Sequence, residues 1–251
     1  MPVIAKKLQH WHVLEQSKPH LIIPDVHHKT RLVDNIRAAH SGMPAIFIGD
    51  YFDDFHDTVY NMGATCKWLQ TAFENPDDVF LLGNHCFAYL SYELGVRWGF
   101  CSGWTVAKQQ VFHEHFPGDA LLRRCRWMVQ AQGWLISHAG LSNDLYRTFS
   151  KWKTTDEIFE WVSDAENALT AGVAHPAFLA GRDRGGPQEV GGILWCDWES
   201  FEPIAGVKQM VGHTPGADVR FKKGSVCLDT HLRHYGLLED GSLTVLESPR
   251  L

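Results

Sequence analysis

Four short apolar runs in this sequence each stop at residues that bind ions. Leu21-Ile22-Ile23 leads into Pro24-Asp25-Val26-His27, and Ala45-Ile46-Phe47-Ile48 into Gly49-Asp50-Tyr51-Phe52-Asp53-Asp54. Val79-Phe80-Leu81-Leu82 leads into Gly83-Asn84-His85, and Trp134-Leu135-Ile136 into Ser137-His138. Uninterrupted apolar runs of this length read as strands buried on both faces. An α/β sheet places its ligands beyond the carboxyl ends of such strands. The chain is therefore expected to gather several ligating side chains at one sheet edge.

The intervening segments support an α/β class. Residues 29–41 place Leu32, Val33, Ile36 and Ala39 at helical spacing, with Gly42 to end the helix. Asp57 is expected to cap a helix over 58–75 that buries Val59, Met62, Cys66, Leu69 and Phe73. A short helix and then a longer one around 106–115 are expected within 86–118, where Trp98, Phe100 and Trp104 suggest a lid or a packed loop. Gln132-Gly133 splits 126–137 into a hairpin. Residues 141–169 read as helical, with a start at Thr154-Thr155-Asp156-Glu157, and 181–187 as a surface loop. The remainder reads as strands over 209–211, 225–229, 235–238 and 243–247. A single domain over 1–251 is expected, with 86–118 and 141–190 as helical or loop insertions around the site.

Composition narrows what such an edge can serve. A length of 251 residues suffices for one large core. The formal charge of -6 arises from 29 acids and 23 bases that are interspersed, so no nucleic-acid or membrane footprint is expected. No apolar stretch approaches 18 residues and the first seven lack a signal-peptide core, which points to a soluble, cytoplasmic protein. The six cysteines form no CxxC pair and read as reduced core thiols. The expected partner is a small-molecule, peptide or protein substrate.

Asp25 and His27, two apart in an extended segment, face the same side and can grip one ion together. Asp50 can bridge that ion to a second, whose other ligands are Asn84, His138 and His213 of Gly212-His213-Thr214-Pro215. This mixture of carboxylate, imidazole and amide suits Mn, with Fe or Zn as alternatives, better than a Ca cage or a thiolate zinc site. Two such ions ~3.5–4 Å apart activate a bridging water and clamp both oxygens of a displacement at phosphorus. His85, diverging from Asn84 along the chain, is free to protonate the leaving group as general acid, with Asp53 to orient it.

The five segments, in this order over 25–214, resemble the calcineurin-like metallophosphoesterase superfamily, nearest its phosphoprotein phosphatase and bacteriophage phosphatase branch. The resemblance implies two mostly mixed sheets flanked by helices. It also implies one metal on Asp25, His27 and Asp50, and another on Asp50, Asn84, His138 and His213.

The sequence departs from that pattern where the substrate's charge is read. The branch follows its Gly-Asp-x-x-Asp with a phosphate-binding Arg, and here the residue is Asp54. Leu194-Trp195-Cys196-Asp197 puts Asp where a second Arg is usual, Pro24 and His28 replace glycines, and His231-Leu232-Arg233-His234-Tyr235 follows Asp229-Thr230. Reversing one such charge ~4 Å from a phosphate oxygen reverses roughly 1 kcal/mol in water and about 4 at a cleft's effective dielectric. Either Arg182, Arg184, Arg233, His231, His234, His28 or His56 compensates, with Tyr235 leaning over the site as a further substrate contact, or the substrate is cationic. In the latter case an arginase-like C–N hydrolase would read a guanidinium with Asp54 and Asp197. A third reading is a metal-binding interaction protein without turnover.

Overall fold

A computed structural model describes residues 13–14, 18–96, 101–149, 152 and 154–249. The apolar runs form β1 (His20–Ile23), β2 (Ala45–Phe47) and β3 (Val79–Phe80), which pair in parallel with Leu21 opposite Ala45 and Ile46 opposite Val79. The hairpin at Gln132-Gly133 joins β4 (Met128–Ala131) to β5 (Trp134–Ser137), and both turn residues have positive φ, as a two-residue primed turn requires. The C-terminal part supplies β6 (Lys208–Val211), β7 (Arg220–Lys222), β8 (Ser225–Cys227), β9 (His234–Glu239) and β10 (Ser242–Glu247). One sheet has the order β10-β9-β1-β2-β3 and the other β4-β5-β6-β8-β7, and each mixes parallel with antiparallel pairs.

The runs are apolar throughout because both faces are covered. Ile22, Ile46 and Ile48 point into a layer shared with Ile136, Met210 and Val226 of the second sheet. Their neighbours Leu21, Ile23 and Phe47 point the other way, into a core shared with the helices. Those helices are α1 (Thr30–Ala39), α2 (Val59–Ala72), α3 (Asn84–Glu93), α4 (Val106–His115), α5 (Asn143–Phe149) and α6 (Thr155–Thr170). Thr58, Thr105 and Thr154 cap α2, α4 and α6, each hydroxyl accepting from an amide three residues on.

Three expectations are corrected here. Asp57 does not cap α2, and Val59 is not buried but 46% exposed, because the helix starts one residue beyond Thr58 and turns Met62, Cys66 and Leu69 inward instead. β7 was not expected, since Arg-Phe-Lys is short and polar. Residues 181–187 include a single 3-10 turn, Arg182–Arg184, ended by Gly185 in the left-handed region. Trp104 packs against the core with its indole N–H on Gln109, while Trp98 and Phe100 lie outside the described residues. No helix among the described residues is long and apolar enough to cross a membrane.

Candidate active site

Beyond the carboxyl ends of β1, β2 and β6 the backbone turns left-handed at non-glycine residues: His27 (φ 40°), His28 (62°), Asp50 (42°), Asp53 (66°) and His213 (70°). Each such residue costs on the order of 1–3 kcal/mol and persists only where its surroundings impose it. Here the β1 turn is fastened onto the β2 turn. The amides of Val26 and His27 donate to the Asp50 carbonyl at 3.0 and 2.8 Å, and that of His28 to the Tyr51 carbonyl at 3.0 Å.

These turns bring two sets of donor atoms together. One atom each from Asp25, His27 and Asp50 lie within 4.8 Å of one another, as do atoms from Asp50, His138 and His213, so Asp50 belongs to both sets. Its Oδ1 accepts the amide of His85 at 2.9 Å, in the first turn of α3, which leaves Oδ2 3.3 Å from His138 Nε2. The Nδ1 of His138 faces the Ile48 carbonyl at 3.1 Å and that of His27 faces the Asp53 carbonyl at 2.6 Å. A ring nitrogen against a carbonyl carries the hydrogen, so in each neutral ring Nε2 presents a lone pair. Asn84 Oδ1 lies 2.8 Å from both His138 Nε2 and His213 Nδ1. Its Nδ2 is turned away and donates to Cys101 Sγ at 3.1 Å, and the thiol reaches the Asn84 carbonyl at 3.1 Å.

Acceptors facing acceptors need a cation or an extra proton between them. Burial works against a charged His138, but Asp50 outweighs it and pushes the ring up to about 9. Burial also drives Asp25 well above the carboxylate range, helped by Asp229, and drives His213 well down, helped by His138. Asp50 is held far below that range, since the charges of His138 and His85 overcome its burial. The buried Asp25 Oδ2 and His213 Nε2 have no hydrogen-bond partner. Packing around the carboxylates leaves no slack: a Cβ at Gly212 would fall 1.9 Å from Asp25 Oδ2, and one at Gly83 2.1 Å from Asp50 Oδ1. Buried, part-satisfied and rich in lone pairs, these residues fit a pair of divalent cations.

Beside them, His85 Nδ1 meets Asp53 Oδ2 at 2.9 Å. The other oxygen of Asp53 accepts from Tyr89 Oη at 2.6 Å and from the buried Lys108 Nζ at 2.7 Å. Lys108 also donates to both oxygens of Asp57, whose carboxylate lies 2.9 Å from His28 Nε2. Burial opposes charge on all three partners. The bonds from His85, Lys108 and Tyr89 nevertheless hold Asp53 below its ordinary range, Asp50 and Asp53 raise His85, and Asp53 and Asp57 raise Lys108. Asn84 and His85 are the first two residues of α3 rather than strand residues, so about 100° around the helix is what parts them.

A family model for the calcineurin-like phosphoesterases matches residues 19–217. The chain belongs to the calcineurin-like phosphoesterase family. The family is dinuclear-metal dependent, and both donor sets of this phosphoesterase fall within the matched residues. A search of curated proteins returned no significant match. Among solved structures, the chain is similar to the cold-active protein-tyrosine phosphatase of the psychrophile Shewanella sp., at 16% identity and TM-score 0.55, covering 94% of this chain and 83% of that one. It is also similar to a protein serine/threonine phosphatase from Saccharomyces cerevisiae with similarity to human phosphatase PP5, at 11% identity and TM-score 0.52, covering 94% and 81%. At these identities the likeness is one of fold.

A cavity of about 470 Å³ opens over the donor sets of the phosphoesterase, and His27, Asp50, Asn84, His85 and His213 all line it. Of the residues expected to read the substrate, Asp54, Arg184 and His231 line it too. Arg184 is clamped by Asp197, with Nε 2.8 Å from Oδ2 and 3.1 Å from Oδ1. Asp197 is therefore the holder of a guanidinium and not a reader of one. Its Oδ1 also accepts from Thr214 Oγ1 at 3.4 Å and lies 3.9 Å from His213 Nε2, which fixes Arg184 on the His213 wall. Asp54 is partly balanced as well, 4.0 Å from Lys29 Nζ and accepting the Phe55 amide at 2.7 Å.

The remaining expectations are corrected. Arg182 pairs with Glu189 at 2.6 Å and does not line the cavity. His234 contacts Thr230 and Arg233 donates to backbone carbonyls, and neither lines the cavity. Tyr235 does not lean over the site: it is buried, with its hydroxyl 2.8 Å from His40 Nε2, because β9 turns it toward α1. His28 is bound between Asp57 and Thr65, and His56 does not line the cavity. Sequence reasoning overlooked Lys29, Lys108 and Asp229, which line the cavity, and treated Cys101 as a core thiol. Asp229 alone had a visible signal, being an acid at the end of an apolar run like those described at the outset.

Proposed function

We propose that the chain hydrolyses phosphomonoesters at two divalent metal ions, one held by Asp25, His27 and Asp50 and the other by Asp50, Asn84, His138 and His213. The observation that carries this reading is the sharing of Asp50 between two donor sets that reach one cavity through His27, Asp50 and His213, beside the Asp53–His85 pair. When bound, the ions supply charge neutralisation at the phosphoryl group and a water acidic enough to attack it. Mn fits the absence of thiolate ligands, and Fe or Zn fits the imidazoles.

The protein's own groups do the rest. Arg184, held flat by Asp197, receives the phosphoryl oxygens and takes the part that Asp54 and Asp197 do not play. Asp50 and Asp53 raise His85, which favours its protonated form, and this proton goes to the departing alkoxide. Asp53 fixes the ring through Nδ1, so that Nε2 is the donating atom. An arginase-like reaction is not favoured, because the two carboxylates assigned to its cation already face Arg184 and Lys29. A binding protein without turnover would not need the His85–Asp53–Lys108 chain.

The test is phosphate release from p-nitrophenyl phosphate by protein loaded with Mn. His85→Ala should lower kcat by about 10²–10⁴ without lowering metal content. No phosphate release from p-nitrophenyl phosphate by metal-loaded protein removes this reading, and p-nitrophenol release from the bis-p-nitrophenyl ester alone would replace it with a phosphodiesterase.

A further inference from the structure

Phe55 is 91% exposed, more than any other large apolar side chain among the described residues, and it lines the same cavity as His85. Val59, 46% exposed, lines it too. Both belong to one wall. The chain from Asp53 to Val59 is tied behind His85 by Lys108, which bonds Asp53 and Asp57 at its two inward turns. Arg184 stands elsewhere, bound through Asp197 and Thr214 to the His213 wall. The cavity thus has a guanidinium beside His213 and, on the segment that follows the His85 partner Asp53, two apolar side chains, Phe55 and Val59, set among Asp54, Asp57 and Thr58.

A phosphomonoester in this cavity puts its phosphoryl oxygens toward Arg184 and its ester oxygen toward His85. Whatever the ester oxygen carries then lies along Phe55 and Val59. We propose that this face is the leaving-group subsite and that it takes an aromatic ring, which makes aryl phosphomonoesters the preferred substrates. The proposal rests on the phosphoester reading of the same site. Phe55 follows the His85 partner Asp53 by two residues and is the aromatic side chain that this segment gives the cavity, and a ring bonded directly to the ester oxygen can pack on it. A ring also gains more against Phe55 than its area alone gives. Asp54 does not select a cation here, since Lys29 faces it at 4.0 Å. In the reaction water adds to phosphorus, the bond between phosphorus and the aryl oxygen breaks, and the His85 proton goes to the aryloxide. The products are a phenol and inorganic phosphate.

The experiment compares 1-naphthyl, phenyl and ethyl phosphate with the Mn-loaded wild type, Phe55→Ala and Tyr60→Ala, the last an exposed aromatic that does not line the cavity. Phe55→Ala should lower kcat/KM for the aryl esters roughly 2- to 12-fold, mainly through KM and most for naphthyl. It should lower ethyl phosphate turnover less than that of either aryl ester, and Tyr60→Ala should leave all three unchanged. Inhibition by phenylphosphonate and ethylphosphonate reads the same preference without turnover, and the phenyl compound should weaken more than the ethyl one in Phe55→Ala. Equal effects on aryl and ethyl compounds, or none on either, overturn the subsite. Wild type inert toward all three esters but binding metal overturns the phosphoester reading itself, which is a distinct result.

Discussion

The amide of Asn84 works only if its oxygen and not its nitrogen faces the two imidazoles, and Cys101 is the group that decides this. With Nδ2 on the thiol at 3.1 Å, Oδ1 is left pointing at His138 and His213. Cys101→Ala should weaken metal binding about 10- to 100-fold, read by competition with a chelator, while Cys101→Ser, which keeps an acceptor, should recover most of it. Unchanged affinity in Cys101→Ala would show that the amide is held by other means. His138 makes a second demand. Without a cation it titrates at about 9, so at pH 7 it holds a proton that a metal must expel from Nε2. Affinity should therefore fall as pH falls, about tenfold per unit below 9, with a proton released that calorimetry in buffers of differing ionisation enthalpy detects. The residues of the two donor sets were legible in the sequence because most of them follow contiguous apolar runs, while His213 follows the shorter Met210-Val211. Cys101 was not, since nothing local distinguishes a thiol beside a ligand from one in the core.

Between elements, the bond that matters most joins the start of α4 to the turn ahead of α2. Lys108 is almost fully buried and neutralises both Asp53 and Asp57. Lys108→Met leaves two buried carboxylates facing each other and should cost about 3–5 kcal/mol, measured by urea unfolding of the metal-loaded protein. A loss below about 1 kcal/mol would mean that water reaches the pair. The same contact explains why the cap of α2 was misassigned. Both Asp57 and Thr58 are good capping residues, and only the tertiary partners of Asp57, Lys108 and His28, show that its carboxylate is already engaged. Lys108 lies 51 residues from Asp57 on a helix with little apolar periodicity, so no sequence pattern links the two. β7 escaped notice for a related reason: three residues at a sheet edge carry too little alternation to read.

Across the whole molecule, buried strands with ligating residues at their carboxyl ends follow from runs that are apolar on both faces, whereas the two mixed sheets followed only from the family resemblance. What did not follow was the pairing of Arg184 with Asp197 at the cavity, because those two residues are brought together by the chain between 184 and 197. Arg184→Ala and Asp197→Ala should each raise the KM for phosphomonoesters by roughly ten- to a hundredfold, and the double variant should do little more, since the carboxylate acts only through the guanidinium. Additive losses would mean that Asp197 has a role of its own. Arg184 and Asp197 both lie outside the strands that carry the metal ligands. On the proposed reading, the preference for an anion is thus a detachable property of the scaffold. A change at either position can shift which molecules are accepted while the hydrolytic core stays intact, so family membership constrains the reaction of this chain far more tightly than its choice of substrate.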